Sequence, residues 1–166
     1  MKKENEDALI IERIFNAPRE KVWQAWTDPE LMKKWWGQKG FTAPHAEIDF
    51  KVGGKYLFAM RGKAGPDQPV RDFWSTGAYK EIIPREKIVM SDSFADEKGN
   101  VVPATYYGMS PDFPLEMKVK VIFEDASGKT KMKLKHKGMP ASDQEGARMG
   151  WSQSFDKLEK LLPSIR

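Results

Sequence analysis

The chain has 166 residues, a net charge of +4, 40% apolar residues and no cysteine. That length favours one domain able to bury roughly two-thirds of its unfolded surface without staples. The lack of cysteine excludes a disulfide framework, a thiol nucleophile and thiolate metal sites. No apolar run exceeds the five residues of Tyr56 to Met60, too short to span a membrane or serve as a secretory core, so the expected compartment is the cytoplasm.

Ala8–Phe15 reads as a first strand. Pro18 opens a helix, with Asn16 as a candidate cap and Val22, Ala25 and Trp26 on its apolar face. Asp28-Pro29 stops that helix and starts a second, carrying Leu31, Met32, Trp35 and Trp36 up to Gly37. Adjacent Trp35 and Trp36 cannot face the same way on a helix, so one of them is expected at an opening or interface. Ala46, Ile48 and Phe50 then alternate with acids, Gly53-Gly54 signals a hairpin turn, and Tyr56, Phe58 and Met60 continue on the next strand. The stretch from Gly62 to Asp72 reads as a turn-rich loop. Phe73–Ile83 and Lys87–Phe94 form another strand pair, followed by an irregular connection over 95–114. A connection of that length suits a cover over a binding site better than a spacer.

Between Glu116 and Lys137 stand seven lysines and three acids, so this stretch carries the whole net charge. Met117, Val119, Val121 and Phe123, then Thr130, Met132, Leu134 and His136, alternate with lysines on either side of 124–128. The pattern is a β-hairpin with one apolar and one lysine face. The lysines either solvate an outward face and discourage edge pairing, or Lys118, Lys120, Lys131, Lys133 and Lys135 meet an acidic protein partner. Nucleic acid is not expected, because arginine and exposed aromatics are not interleaved.

At the C-terminus Ser142 and Glu145 have capping-box spacing, and Ala147, Trp151, Phe155, Leu158 and Leu162 form a helical stripe. Beside it runs a column of Gly146, Gly150 and Ser154. Either the backbone packs tightly there or the missing side chains leave room for a ligand. Strands grouped together with helices at the ends define an α+β protein: a curved antiparallel sheet of six or seven strands, two short helices after the first strand, and one long C-terminal helix.

These residues also carry a family resemblance. Phe15-Asn16-Ala17-Pro18-Arg19-Glu20-Lys21-Val22-Trp23 with Thr27-Asp28-Pro29-Glu30 resembles the opening of the START-like (SRPBCC) helix-grip superfamily. Val52-Gly53-Gly54-Lys55-Tyr56, Gly77-Ala78-Tyr79-Lys80-Glu81-Ile82, Pro84-Arg85-Glu86-Lys87-Ile88-Val89, Phe123-Glu124-Asp125, Met139-Pro140 and Gly150-Trp151 are similar to landmarks of one branch. That branch is related to the C-terminal domain of the activator of heat-shock protein 90 ATPase. The likeness covers residues 8–162 of a single domain, 1–166. It implies a sheet gripping the long helix around an internal cavity, often occupied by an apolar ligand. Co-chaperone action is not implied, since the activator also carries a separate N-terminal domain for which 166 residues leave no room.

The leading expectation is binding of a small hydrophobic molecule. Its lining would be Trp26, Trp35, Tyr56, Phe58, Met60, Met90, Asp92, Met117, His136, Gly150, Trp151 and Ser154, with 95–114 as cover. No cofactor or metal is expected: two histidines, His45 and His136, cannot form a three-histidine site. Gly150-Trp151-Ser152-Gln153-Ser154 lacks the last glycine of a nucleophile elbow. Asp92 continues the apolar face of Ile88 and Met90, where it would hold a polar ligand head or act as an acid–base group. The plainer alternative is that the strand ends before it and Asp92 caps the loop. His136 is either a core histidine bonded to backbone or a site residue. The direction of Glu81 is open. A chaperone-associated interaction module using the lysine face, and a cyclase- or hydrolase-type enzyme using Asp92, Glu81 or His136, are the alternatives.

Overall fold

A computed structural model describes residues 8–166. Seven antiparallel strands form one curved sheet in the order β1-β7-β6-β5-β4-β3-β2. They are β1 (Ala8–Phe15), β2 (Thr42–Ile48), β3 (Lys55–Lys63), β4 (Val70–Ile83), β5 (Lys87–Ala95), β6 (Met117–Ala126) and β7 (Lys129–Lys137). Helices α1 (Arg19–Thr27) and α2 (Pro29–Trp35) follow β1, and α3 (Gln144–Leu161) closes the chain. This is the helix-grip arrangement.

The local chemistry explains most boundaries. Asp28 ends α1 and caps α2, accepting from the Glu30 backbone N–H at 2.9 Å, with Pro29 in the first turn. The β6–β7 hairpin is tighter than its sequence suggests: the ladder runs to Ala126↔Lys129, and only Ser127 and Gly128 turn, both at positive φ. A two-residue turn of this kind matches strand twist and tolerates few residues besides glycine and small polar ones. Pro44, which cannot donate to a ladder, lies on the edge strand β2.

Four expectations are corrected. The loop after β3 spans only 64–69, because Arg61, Gly62 and Lys63 pair with Asp72, Arg71 and Val70; an Arg61–Asp72 ion pair at 2.6 Å closes the ladder there. Ser142 and Glu145 form no capping box: a 3-10 turn over Ala141–Asp143 intervenes and α3 begins at Gln144. Asn16 is no cap either, since Pro18 occupies that position without a side-chain bond. The lysine hairpin lies inside the sheet, so its charges do not guard an edge.

The core fills the concave side. Phe155 and Leu158 of α3 and the following Leu162 are buried against Phe15, Trp26, Trp35 and the inward residues of β6 and β7. Arg13 on β1 ties α3 to the sheet, donating to Asp156 at 2.7 Å, Glu159 at 2.9 Å and the Ser152 carbonyl oxygen at 3.2 Å. A second, smaller cluster joins Ala104 and Phe113 of the 95–114 connection to Met117 and Met139.

Candidate functional site

The N-terminal half of α3 does not close onto the sheet. A cavity of about 230 Å³ lies between them. Glycine spacing is the local cause. A Cβ placed on Gly146 meets nothing within 4 Å, and one on Gly150 meets only the Gln38 side chain, 3.2 Å away. The column therefore leaves space rather than permitting close helix–sheet packing. The next helical step, Ser154, also faces the cavity, its hydroxyl donating to the Gly150 carbonyl oxygen at 3.1 Å.

Nine residues expected as lining stand on the cavity wall: Tyr56, Met60, Met90, Asp92 and Met117 from the sheet, with His136, Gly150, Trp151 and Ser154. Trp26, Trp35 and Phe58 do not. All three are fully buried core, because the periodicity that marks an apolar residue as inward cannot say whether a neighbour already covers it. Trp35 also spends its indole N–H on the Ala25 carbonyl oxygen at 2.9 Å. The tryptophan at the opening is Trp36, packed edge-on to Trp151 with ring centroids 5.4 Å apart. Phe94, Met109, Phe113 and Met139 add to the apolar wall and lie outside the expected lining. Of these, Met109 and Phe113 belong to the connection marked as a cover.

That connection is anchored rather than loose. The Tyr107 hydroxyl accepts from the Trp74 backbone N–H at 3.0 Å and donates to the Ala95 carbonyl oxygen, pinning a 3-10 turn (Ala104–Tyr107) to β4 and β5. On the opposite rim, Lys39 N–H donates to Gln153 at 3.0 Å and the Lys157 ammonium donates to the Phe41 carbonyl oxygen at 3.0 Å. Both bonds fix the segment after α2 against α3. Partial burial lowers the Lys157 pKa from its ordinary value.

One end of the cavity is polar. β5 continues through Asp92 to Ala95, so Asp92 is an inward strand residue and not a loop cap. Tyr56 donates its hydroxyl to the Ser91 carbonyl oxygen at 2.8 Å, with Asp92 Oδ1 at 3.2 Å as a second acceptor sharing that proton. Burial first, and the Asp92 charge second, push the Tyr56 phenol well above its usual range. The ring reaches this position because β4 carries Gly77 there; a Cβ would lie 1.9 Å from the Ser91 carbonyl oxygen and 2.8 Å from the Tyr56 ring. His136, 4% exposed, bonds to no backbone group. Its Nδ1 accepts from the Trp151 indole N–H at 3.2 Å, and its Nε2 lies 3.4 Å from Asp92 Oδ2 without hydrogen-bond alignment. Glu81 is excluded from the group: a β-bulge after Tyr79 turns it outward, where it pairs with Lys87 at 3.1 Å.

The arrangement can hold an apolar body and address one polar group. Ser154, whose hydroxyl is committed to backbone, is not paired with His136 as a nucleophile with its base. Among the described residues, no group of three potential ligands could hold a metal ion, and no helix is long and apolar enough to cross a membrane.

Residues 16–163 match the family model described as activator of Hsp90 ATPase homolog 1-like protein. Solved structures share the architecture. A Chromobacterium violaceum protein is 25% identical, with 93% of this chain and 96% of that chain covered and a TM-score of 0.72. A Staphylococcus epidermidis protein is also 25% identical, with coverages of 99% and 93% and a TM-score of 0.70. An Arthrobacter aurescens protein, 24% identical, covers 98% and 90% with a TM-score of 0.75. No curated protein matches the chain.

Proposed function

This chain belongs to the activator of Hsp90 ATPase homolog 1-like family, within the START-like superfamily, and from that premise we propose that it binds a small, largely apolar molecule between α3 and the sheet. The observation that carries the reading is the space over Gly146 and Gly150, walled by aromatic and methionine side chains and about 230 Å³ in volume. A dry cavity of about 150 Å³ already accepts benzene, so a body of about two rings suits this one. Methionine walls such as Met60, Met90 and Met117 adapt to more than one shape.

Native mass spectrometry of freshly purified protein tests the reading. A retained small-molecule adduct that disappears in Gly146→Leu, with the fold intact by circular dichroism, supports it. Unchanged uptake in that variant removes the cavity as the site.

A second reading concerns the outer face of β6 and β7. Lys118 stands directly opposite Lys137, and Lys120 opposite Lys135. This gathering of lysines on one outer face suits contact with an acidic protein. Reversal of Lys131, Lys133 and Lys135 to glutamate would then abolish a salt-sensitive capture without altering small-molecule uptake.

A further inference from the structure

We infer that the cavity takes an apolar molecule bearing a protonated amine, and that the ammonium group sits on the Asp92 carboxylate. The inference rests on the cavity reading above and adds the sign of the ligand's charge.

The protein carries a net +4, yet the cavity wall holds two carboxylates, Asp92 and Asp143, and neither lysine nor arginine. The wall is thus acidic where the molecule as a whole is basic, while the Lys157 ammonium at the rim donates to the Gln38 and Phe41 carbonyl oxygens. An anionic ligand would meet the Asp92 carboxylate in an apolar setting, where screening is weak.

His136 supplies an independent observation. Its ring is buried, Nδ1 is engaged as an acceptor by Trp151, and Nε2 has no aligned partner. To become a cation beside Asp92, the imidazole would have to place a proton on Nδ1 and surrender the Trp151 bond. Asp92 is thus backed by a phenol it shares with the Ser91 carbonyl and by an imidazole that is poorly aligned with it. Its side chain remains 19% exposed, on the cavity wall. With no aligned hydrogen bond from His136, the carboxylate keeps acceptor capacity toward the cavity. An ammonium fills that capacity with a charge-assisted hydrogen bond.

The walls suit the same group. Trp36, Trp151, Phe94 and Phe113 present aromatic rings to the space, and ring faces attract cations most strongly when both are desolvated. Asp143, partly exposed just before α3, would draw cations toward the opening.

Three probes sharing one naphthalene body test the charge: 1-naphthylmethylamine, 1-naphthalenemethanol and 1-naphthoate. Titration calorimetry on the intact protein should rank the amine about tenfold or more tighter than the alcohol, with the acid weakest. Asp92→Asn should erase the amine's advantage and leave the alcohol within about twofold of its original affinity. An acid that binds as tightly as the amine, or an amine advantage that survives Asp92→Asn, overturns the inference while leaving the cavity reading standing. Failure of all three probes to shift the Trp36 and Trp151 indole resonances overturns both. The ranking on the unsubstituted protein decides the matter by itself should Asp92→Asn unfold.

Discussion

The Trp151 indole N–H and His136 Nδ1 lie 3.2 Å apart and form a hydrogen bond between side chains that ties the middle of α3 to the polar end of the cavity. The bond assigns His136 its tautomer, because Nδ1 must accept and the proton must sit on Nε2. Trp151→Phe keeps an aromatic ring stacked near Phe155 but deletes the donor. Leaving a buried acceptor unsatisfied should cost about 1–3 kcal/mol, read as a lower denaturant midpoint. A long-range nitrogen–proton spectrum should show Nε2 protonated in the parent and a changed tautomer balance in the variant. An identical ring pattern in both would show that Trp151 does not set it.

Gly146 and Gly150 respond differently to a methyl group. Gly146 has free space around a new Cβ, so Gly146→Ala should stabilise α3 by about 0.5–1 kcal/mol through helix propensity. At Gly150 the Gln38 side chain lies 3.2 Å from the same atom and must move, which offsets the gain. Thermal melts of the two variants should therefore separate, with Gly146→Ala higher.

Tyr56 and Tyr79 are both buried, and burial raises each phenol above its ordinary value. A raised folded-state pKa means that the neutral form is favoured on folding. That contribution is complete below the unfolded phenol value of about 10 and is lost as pH rises beyond it. Phenolate absorbance from these two residues should appear only together with loss of the folded circular dichroism signal. Full ionisation of all four tyrosines in a still-folded protein would contradict their burial.

Arg13 is the polar clamp between β1 and α3. Arg13→Met preserves the stem and removes three hydrogen bonds. Asp156 and Glu159 are more than half exposed, so solvent screening limits the effect to about 1–2 kcal/mol. The difference in melting temperature between parent and variant should shrink in high salt.

The order of elements was legible along the chain because each has its own period and its own punctuation. Ala8–Phe15, the Asp28-Pro29 break and the alternating lysine hairpin are decided within a few residues. Boundaries misread were those set by partners: Val70 to Asp72 became strand because Arg61 to Lys63 lay opposite, and Ser142 lost its capping role to a 3-10 turn. The same distinction runs through the site. Asp92 and His136 were marked as inward by alternation alone. That Trp36 faces the cavity while Trp35 is sealed in the core depends on what covers each ring.

Apolar periodicity, net charge and turn chemistry are local properties, so the chain alone specified an α+β helix grip with its positive charge on one hairpin face. Whether the glycine column meant close packing or open space, and which groups surround Asp92, depended on side chains distant in sequence. Only the tertiary structure decided these points, through the approach of α3 to the sheet and the engagement of His136 by Trp151. The charge that dominates the composition lies outside. The charge that addresses the cavity has the opposite sign.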